Sequence, residues 1–174
     1  FGVLATEKGT GDQERKVFLD SFFQNYQSLK PDQIKPHFKS KDDVSEWLKA
    51  VYKDEWEYLC TPANKAQLVD LFKNGKLIGF VIIEPWKGDK STIHLRQMAI
   101  LSTEQRHGYG AALLKALRKL PEINVKSLVA DTRKLNKKAL QFYLKNGFVE
   151  CTPHDPELNK EFYTGLEWHS SKVN

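Results

Sequence analysis

The stretch from Leu68 to Leu101 constrains this chain most. Leu77 to Ile83 is an unbroken apolar run of strand length. Such a run describes a β-strand buried on both faces, because a strand with one wet face alternates apolar and polar residues. Asn74-Gly75 just before it is the strongest short hairpin signal, and Leu68 to Phe72 alternates as the strand that enters that turn. Pro85 to Lys90 reads as a loop and Ser91 to Leu101 as a third strand. Three consecutive strands joined this way should form an antiparallel meander. A central strand with two dry faces needs cover on both sides.

The rest of the chain supplies helices for that cover. Residues 1–11 read as a frayed end or a short first strand. From Asp12, Phe18, Phe22 and Tyr26 recur at helical spacing until Pro31 and Pro36 break the pattern. Ser40 followed by Asp43 resembles a capping box, opening a helix whose stripe runs from Val44 to Leu59 and stops at Pro62. Gly108 to Leu120 reads as a helix with Leu113, Leu114, Leu117 and Leu120 inward, stopped by Pro121. Val125 to Ala130 is a short strand, and Leu135 to Asn146 a helix closed by Gly147. Phe148 to Cys151 and Phe162 to Trp168 form a last strand pair around a polar loop. The strand–helix–strand unit should be a right-handed parallel crossover. The expected class is α/β in the α+β sense: a mixed, mostly antiparallel sheet flanked by helices. A length of 174 residues fits one domain, 1–174.

Composition excludes several partners. The chain is 40% hydrophobic and 28% charged, which is globular rather than disordered. Its net charge of +5 points to an anionic partner or to ordinary solubility. No apolar run approaches the roughly 18 residues of a membrane span, so no membrane association is expected. The basic residues form no aromatic-interleaved stripe, so nucleic acid is not expected either. Cys60 and Cys151 sit among apolar residues and read as buried free thiols without a partner base. The five histidines do not fall at metal-ligand spacing, and no metal is expected. No signal-peptide pattern is visible, and a cytoplasmic location is expected.

The chemistry is concentrated in two segments. The strand ending Gln97-Met98-Ala99-Ile100 leads through Gln105-Arg106-His107-Gly108-Tyr109-Gly110-Ala111 into a helix. Free N–H groups at a helix start, approached through glycines, make an anion cradle. The segment lacks the Gly-Lys-Ser/Thr of a P-loop and the third glycine of the dinucleotide fingerprint. Some thirty residues on, Asn136, Ala139, Phe142, Tyr143, Gly147 and Phe148 follow the spacing Asn-x-x-Ala-x-x-Phe-Tyr-x-x-x-Gly-Phe. Together with Gln-x-x-Gly-x-Gly, this resembles the GNAT superfamily of N-acetyltransferases, from Leu68 to about Trp168.

The resemblance implies acetyl-CoA as co-substrate, bound where the parallel strands Ile93–Leu101 and Val125–Ala130 splay into a V. The backbone of Met98, Ala99 and Ile100 would pair with the pantetheine arm. Gln105, Arg106, His107, Gly108, Tyr109, Gly110 and Ala111 would hold the pyrophosphate, with Lys137, Lys138 or Lys145 near a CoA phosphate. Asn136 would contact the pantetheine, and Ala139 would leave it room. Residues 67–168 would be the cofactor-binding core and the helical part, 1–66, would shape the acceptor site. The implied reaction is direct attack by a primary amine in a ternary complex. The acceptor would be a small amine, or a protein lysine or N-terminus. Tyr143 stands where many relatives place the acid that protonates the leaving thiolate. Relatives often carry a glutamate on the strand before the glycine loop, and none lies between Ser91 and Leu101. His94 stands at that place in some protein-acetylating relatives, and Glu84 is the rival base. Ser102 replaces a proline common in the family. Asp42, Asp43, Asp54, Glu55 and Glu57 can attract a cationic amine or simply solvate a helix face. A non-catalytic acyl-CoA-binding or regulatory module is the competing class, and the chain is expected to be a monomer or homodimer.

Overall fold

The computed structural model describes residues 2–6, 9–120 and 123–171. Its elements are β1 (Gly2–Thr6), α1 (Asp12–Tyr26), α2 (Pro31–Ile34), α3 (Lys41–Cys60), β2 (Gln67–Lys73), β3 (Lys76–Trp86), β4 (Asp89–Ile100), α4 (Tyr109–Leu117), β5 (Ser127–Arg133), α5 (Lys137–Lys145), β6 (Val149–Cys151) and β7 (Tyr163–His169). The strands form one seven-stranded sheet in the order β1-β2-β3-β4-β5-β7-β6. The β2-β3-β4 meander is antiparallel and the β4–β5 pairing is parallel. Residues 2–6 form the edge strand against β2. At the other end β7 inserts between β5 and β6.

β3 is buried continuously from Leu77 to Glu84, as its unbroken apolar run requires. Its two faces belong to two cores. Val81 and Ile83 join Leu95, Leu128 and the α4 leucines 113, 114 and 117. Phe80 and Ile82 join Phe18 of α1 and Val44, Leu48 and Tyr52 of α3. The helix starts follow local chemistry. Ser40 Oγ accepts the Asp43 N–H at 3.3 Å and Asp43 accepts the Ser40 N–H at 3.0 Å, a complete capping box. Pro31 does more than end a helix: it opens α2, where a missing N–H costs nothing.

Two expectations need correction, and a third cannot be compared. Pro85 to Lys90 is not a loop. β3 continues through Trp86, β4 starts at Asp89, and the turn is Lys87-Gly88 with φ of 48° and 77°. Proline is tolerated in the strand because the pairing is irregular between Pro85 and Trp86. Cys60 is exposed at the last turn of α3 and Cys151 is half-buried, so neither is a fully buried thiol. Pro121 lies outside the described residues.

Two departures from regular pairing shape β4. The register passes from Ile82–Gln97 to Ile83–Leu95, which leaves Arg96 as a bulged extra residue. β5 pairs with β4 only along Thr92–His94. Beyond His94 the two strands part, although both run on for several residues.

Candidate active site

A cavity of about 320 Å³ lies along the last residues of β4, past the point where β5 parts from it. Its wall is built from Met98, Ala99 and Ile100 of β4, Gln105 and Arg106 of the following loop, Gly110 of α4, and Ala139, Phe142 and Tyr143 of α5. Ser21 and Asn25 of α1 close it, and Lys138 and Lys145 stand at its rim with Arg106. The loop is held from two sides. Gln105 Nε2 donates to the Ile100 carbonyl at 2.9 Å, and Ser102 donates its N–H and hydroxyl to Asp20 at 2.6 and 3.0 Å. A proline at 102, with neither an N–H nor a hydroxyl, would forfeit both bonds to Asp20. Arg106 and Gly108 both have positive φ, 65° and 80°, and turn the chain sharply into α4. The first amides of α4 have no intrahelical acceptor and sit at the positive end of the helix dipole.

Tyr143 is 8% exposed, with its ring against Phe142 and Phe148. Burial pushes its pKa up to about 12, so the hydroxyl keeps its proton at neutral pH. The side chain is therefore both core aromatic and cavity wall. Gly110 is required by packing: a Cβ there would lie 2.8 Å from the Phe142 ring.

A second constellation occupies the other face of β4. Glu84 is 6% exposed and collects three donors. Tyr58 donates its hydroxyl at 2.5 Å, His94 Nδ1 lies at 2.8 Å and Arg96 Nη1 at 3.2 Å. Burial raises the Glu84 pKa, but hydrogen bonds from His94 and Tyr58 and the charge of Arg96 outweigh it and bring it to about 2. Arg96 also grips Glu55 with two bonds of 3.0 and 2.9 Å and stacks on Tyr58, 3.5 Å from its ring centroid. Trp86 lies 4.6 Å from the His94 ring.

The residues anticipated from the sequence thus fall into two groups. Met98, Ala99, Ile100, Gln105, Arg106, Gly110, Ala139 and Tyr143 meet at the cavity; His94 and Glu84 meet in the polar network. His107, Gly108, Tyr109 and Ala111 are beside the cavity at the α4 start but do not line it. The Asn136 side chain is 3% exposed and caps α5, its Oδ1 accepting the Ala139 N–H at 3.2 Å. Of the acidic residues of α3, Glu55 is neutralised by Arg96. Arg96, Tyr58 and Trp86 were not anticipated. The alternation Thr92, His94, Arg96 against Ile93, Leu95 carried the signal, because it places His94 and Arg96 on one face of the strand.

Cys151 has a neighbouring base after all: its Sγ is 3.5 Å from His154 Nε2. Burial and the Glu167 carboxylate push the thiol up to about 11, so it stays protonated and is no activated nucleophile. One ligand atom each of Cys151, His154 and Glu167 lies within 4.8 Å of the others, a grouping that the histidine spacing did not announce.

Among solved structures, the chain is similar to the PaiA N-acetyltransferase of Thermoplasma acidophilum in complex with coenzyme A. The identity is 15%, the TM-score 0.68, and the match covers 98% of this chain and 100% of that one. It is similar to an acetyltransferase of Thermus thermophilus at 16% identity and a TM-score of 0.62, covering 98% of each. It is also similar to an aminoglycoside 6′-acetyltransferase of type Ii, at 14% identity and a TM-score of 0.62, covering 97% of each. No curated protein matches the sequence. The family model of the GNAT acetyltransferases matches residues 22–148. That span holds the parted strands, the glycine loop and the cavity helices α4 and α5, and the chain belongs to the GNAT acetyltransferase family, whose cofactor is acetyl-CoA.

Proposed function

We propose that this protein transfers an acetyl group from acetyl-CoA to a primary amine by direct attack in a ternary complex. The observation that carries the reading is the cavity along the end of β4, past its pairing with β5. It offers an unpaired strand edge, the N-terminal amides of α4, and the cations Arg106, Lys138 and Lys145 in one place. That set fits a ligand with an amide-bearing arm and a pyrophosphate. Bound there, acetyl-CoA would supply an electrophilic thioester. Residues 67–168 would form the cofactor-binding core, and the helices of 1–66 the acceptor side.

The chain's own groups then divide the work. His94 takes the amine proton, directly or through water, and Glu84 orients its ring by accepting from Nδ1. Glu84 is a poor base itself, because three donors stabilise its ionised form. A strand N–H near Ile100 donates to the thioester carbonyl oxygen as charge develops there. Tyr143, protonated at neutral pH and at the cavity wall, returns a proton to the departing sulfur. The likeness to an aminoglycoside acetyltransferase supports a small amine as the acceptor.

The test is release of free CoA thiol from acetyl-CoA with a panel of polyamines, aminoglycosides, amino acids and lysine peptides. Acceptor-dependent release is expected. Tight CoA binding without turnover on any acceptor would favour a non-catalytic acyl-CoA-binding module, and failure to bind CoA would overturn both.

A further inference from the structure

We propose that Cys151, His154 and Glu167 form a binding site for a thiophilic divalent cation of the zinc type, apart from the acetyl-transfer site. Cys151 ends β6, Glu167 lies on β7, and His154 stands in the loop that leaves β6, at the spacing Cys-x-x-His. One ligand atom from each lies within 4.8 Å of the other two. Ligands of one tetrahedral ion at bond lengths of about 2.0–2.3 Å stand at about 3.3–3.8 Å from each other, so the gap closes with small side-chain movements.

The histidine geometry points to a cation. Nε2 lies 3.2 Å from the Leu166 carbonyl, an acceptor that can only take a proton from it. With Nε2 protonated, the Nδ1 lone pair faces Glu167 Oε1 at 3.8 Å. The lone pair and the carboxylate then face each other across a gap that a proton on Nδ1 or a metal ion would fill. The Cys151 thiol is hydrogen-bonded to Glu167; an ion that displaced this proton to solvent would meet thiolate, imidazole and carboxylate, a zinc donor set with room for a fourth ligand from water.

The surroundings are built as a metal's outer shell would be. The Leu166 carbonyl fixes the imidazole through its second nitrogen. Glu167 has its other oxygen, Oε2, 2.9 Å from His169 Nε2, and His169 Nδ1 is 2.8 Å from Ser127 Oγ. Asp131 accepts the N–H groups of His154 and Asp155 at 2.8 and 3.0 Å and so anchors the loop. The His154 side chain is 11% exposed and that of Glu167 31%, which leaves solvent a way in. An ion here would clamp the β6–β7 loop onto the sheet beside Trp86, whose ring lies between His154 and His94.

The experiment is titration of the metal-free full chain with Co²⁺ and with Zn²⁺. Cobalt is read through its thiolate charge-transfer and ligand-field absorption, zinc by competition with a chromophoric chelator. One equivalent is expected to bind with tetrahedral cobalt bands. The charge-transfer band should vanish in Cys151→Ala and persist in Cys60→Ala. His154→Asn and Glu167→Gln should each weaken zinc binding about 10-fold or more. Zinc should also raise the melting temperature of the parent chain more than that of Glu167→Gln at the same zinc concentration, a comparison that remains valid if Cys151→Ala folds poorly. No stoichiometric binding, or a charge-transfer band that follows Cys60, would overturn the site. None of these readouts depends on acetyl transfer.

Discussion

At the scale of single residues, Tyr143 and Glu84 show how burial sets chemistry in opposite directions. Burial alone acts on Tyr143 and holds its proton. Tyr143→Phe keeps the ring in its contacts with Phe142 and Phe148 and deletes only the hydroxyl. Turnover should fall about 10²-fold while KM for acetyl-CoA stays within about twofold, since a proton donor acts in the transition state and not in ground-state binding. Steady-state kinetics at saturating acceptor check this. At Glu84 the donors outweigh burial, and the folded pKa, about 2, lies below the unfolded one. The stabilisation is therefore full above about pH 4.5 and is lost as pH falls from there toward about 2. Glu84→Gln should remove that segment of the acid-unfolding curve, and acid titration followed by circular dichroism reads it. His94 was legible through the family resemblance, and Glu84 as the residue that ends the neighbouring apolar strand. Their 2.8 Å contact was not, because it depends on the β3–β4 register that sets Glu84 opposite His94. Arg96 escaped for a related reason: alternation sets it on the face of His94, but its partners Glu55 and Tyr58 stand on α3, and only tertiary packing brings that helix there.

At the scale of elements, the sequence announced what local chemistry determines and missed what tertiary pairing decides. The capping box at Ser40, the Asn74-Gly75 turn and the apolar run of β3 are local, and each stands where it was expected. The extent of β3 through Pro85 is not local, since an irregular pairing with β4 makes the proline acceptable. The place of β7 between β5 and β6 has no local signal at all. The α4–α5 contact is where element packing meets the candidate site. Gly110 lets the Phe142 ring lie against the α4 backbone, and both residues line the cavity. In Gly110→Ala the new Cβ would meet that ring at 2.8 and 2.9 Å, so Phe142 must move into the cavity or α4 must retreat. Overpacking of this kind costs about 1–3 kcal/mol. Acetyl-CoA affinity should fall at least as far as stability, and calorimetric binding beside thermal melts separates the two. Unchanged affinity in a destabilised variant would detach this contact from the cofactor site.

At the scale of the whole molecule, the cavity is a place where parts of both cores meet a common space. Ser21 and Asn25 come from α1, on the face packed by α1 and α3, while Phe142 and Tyr143 come from α5 on the opposite face. A ligand that fills it ties the two layers together across β4 and should stabilise the molecule as a unit. Mass action gives the size: a ligand at about 100 times its Kd adds about 2.7 kcal/mol. For a chain of this length that is roughly 5–10 °C in Tm. The charge of +5 enters here in local form, through Arg106, Lys138 and Lys145 at the rim. Replacing these three by Gln should remove most of the CoA-induced shift and most of its sensitivity to salt, because screening acts on the exposed charges that meet the phosphates. The Tm of the free protein should stay close to that of the parent, as surface charges contribute little to folding. Replacing Lys53, Lys76 and Lys90, exposed and outside the cavity wall, lowers the net charge equally and should leave the shift intact. Equal losses in the two triple variants would mean that total charge, and not the rim of this cavity, attracts the cofactor.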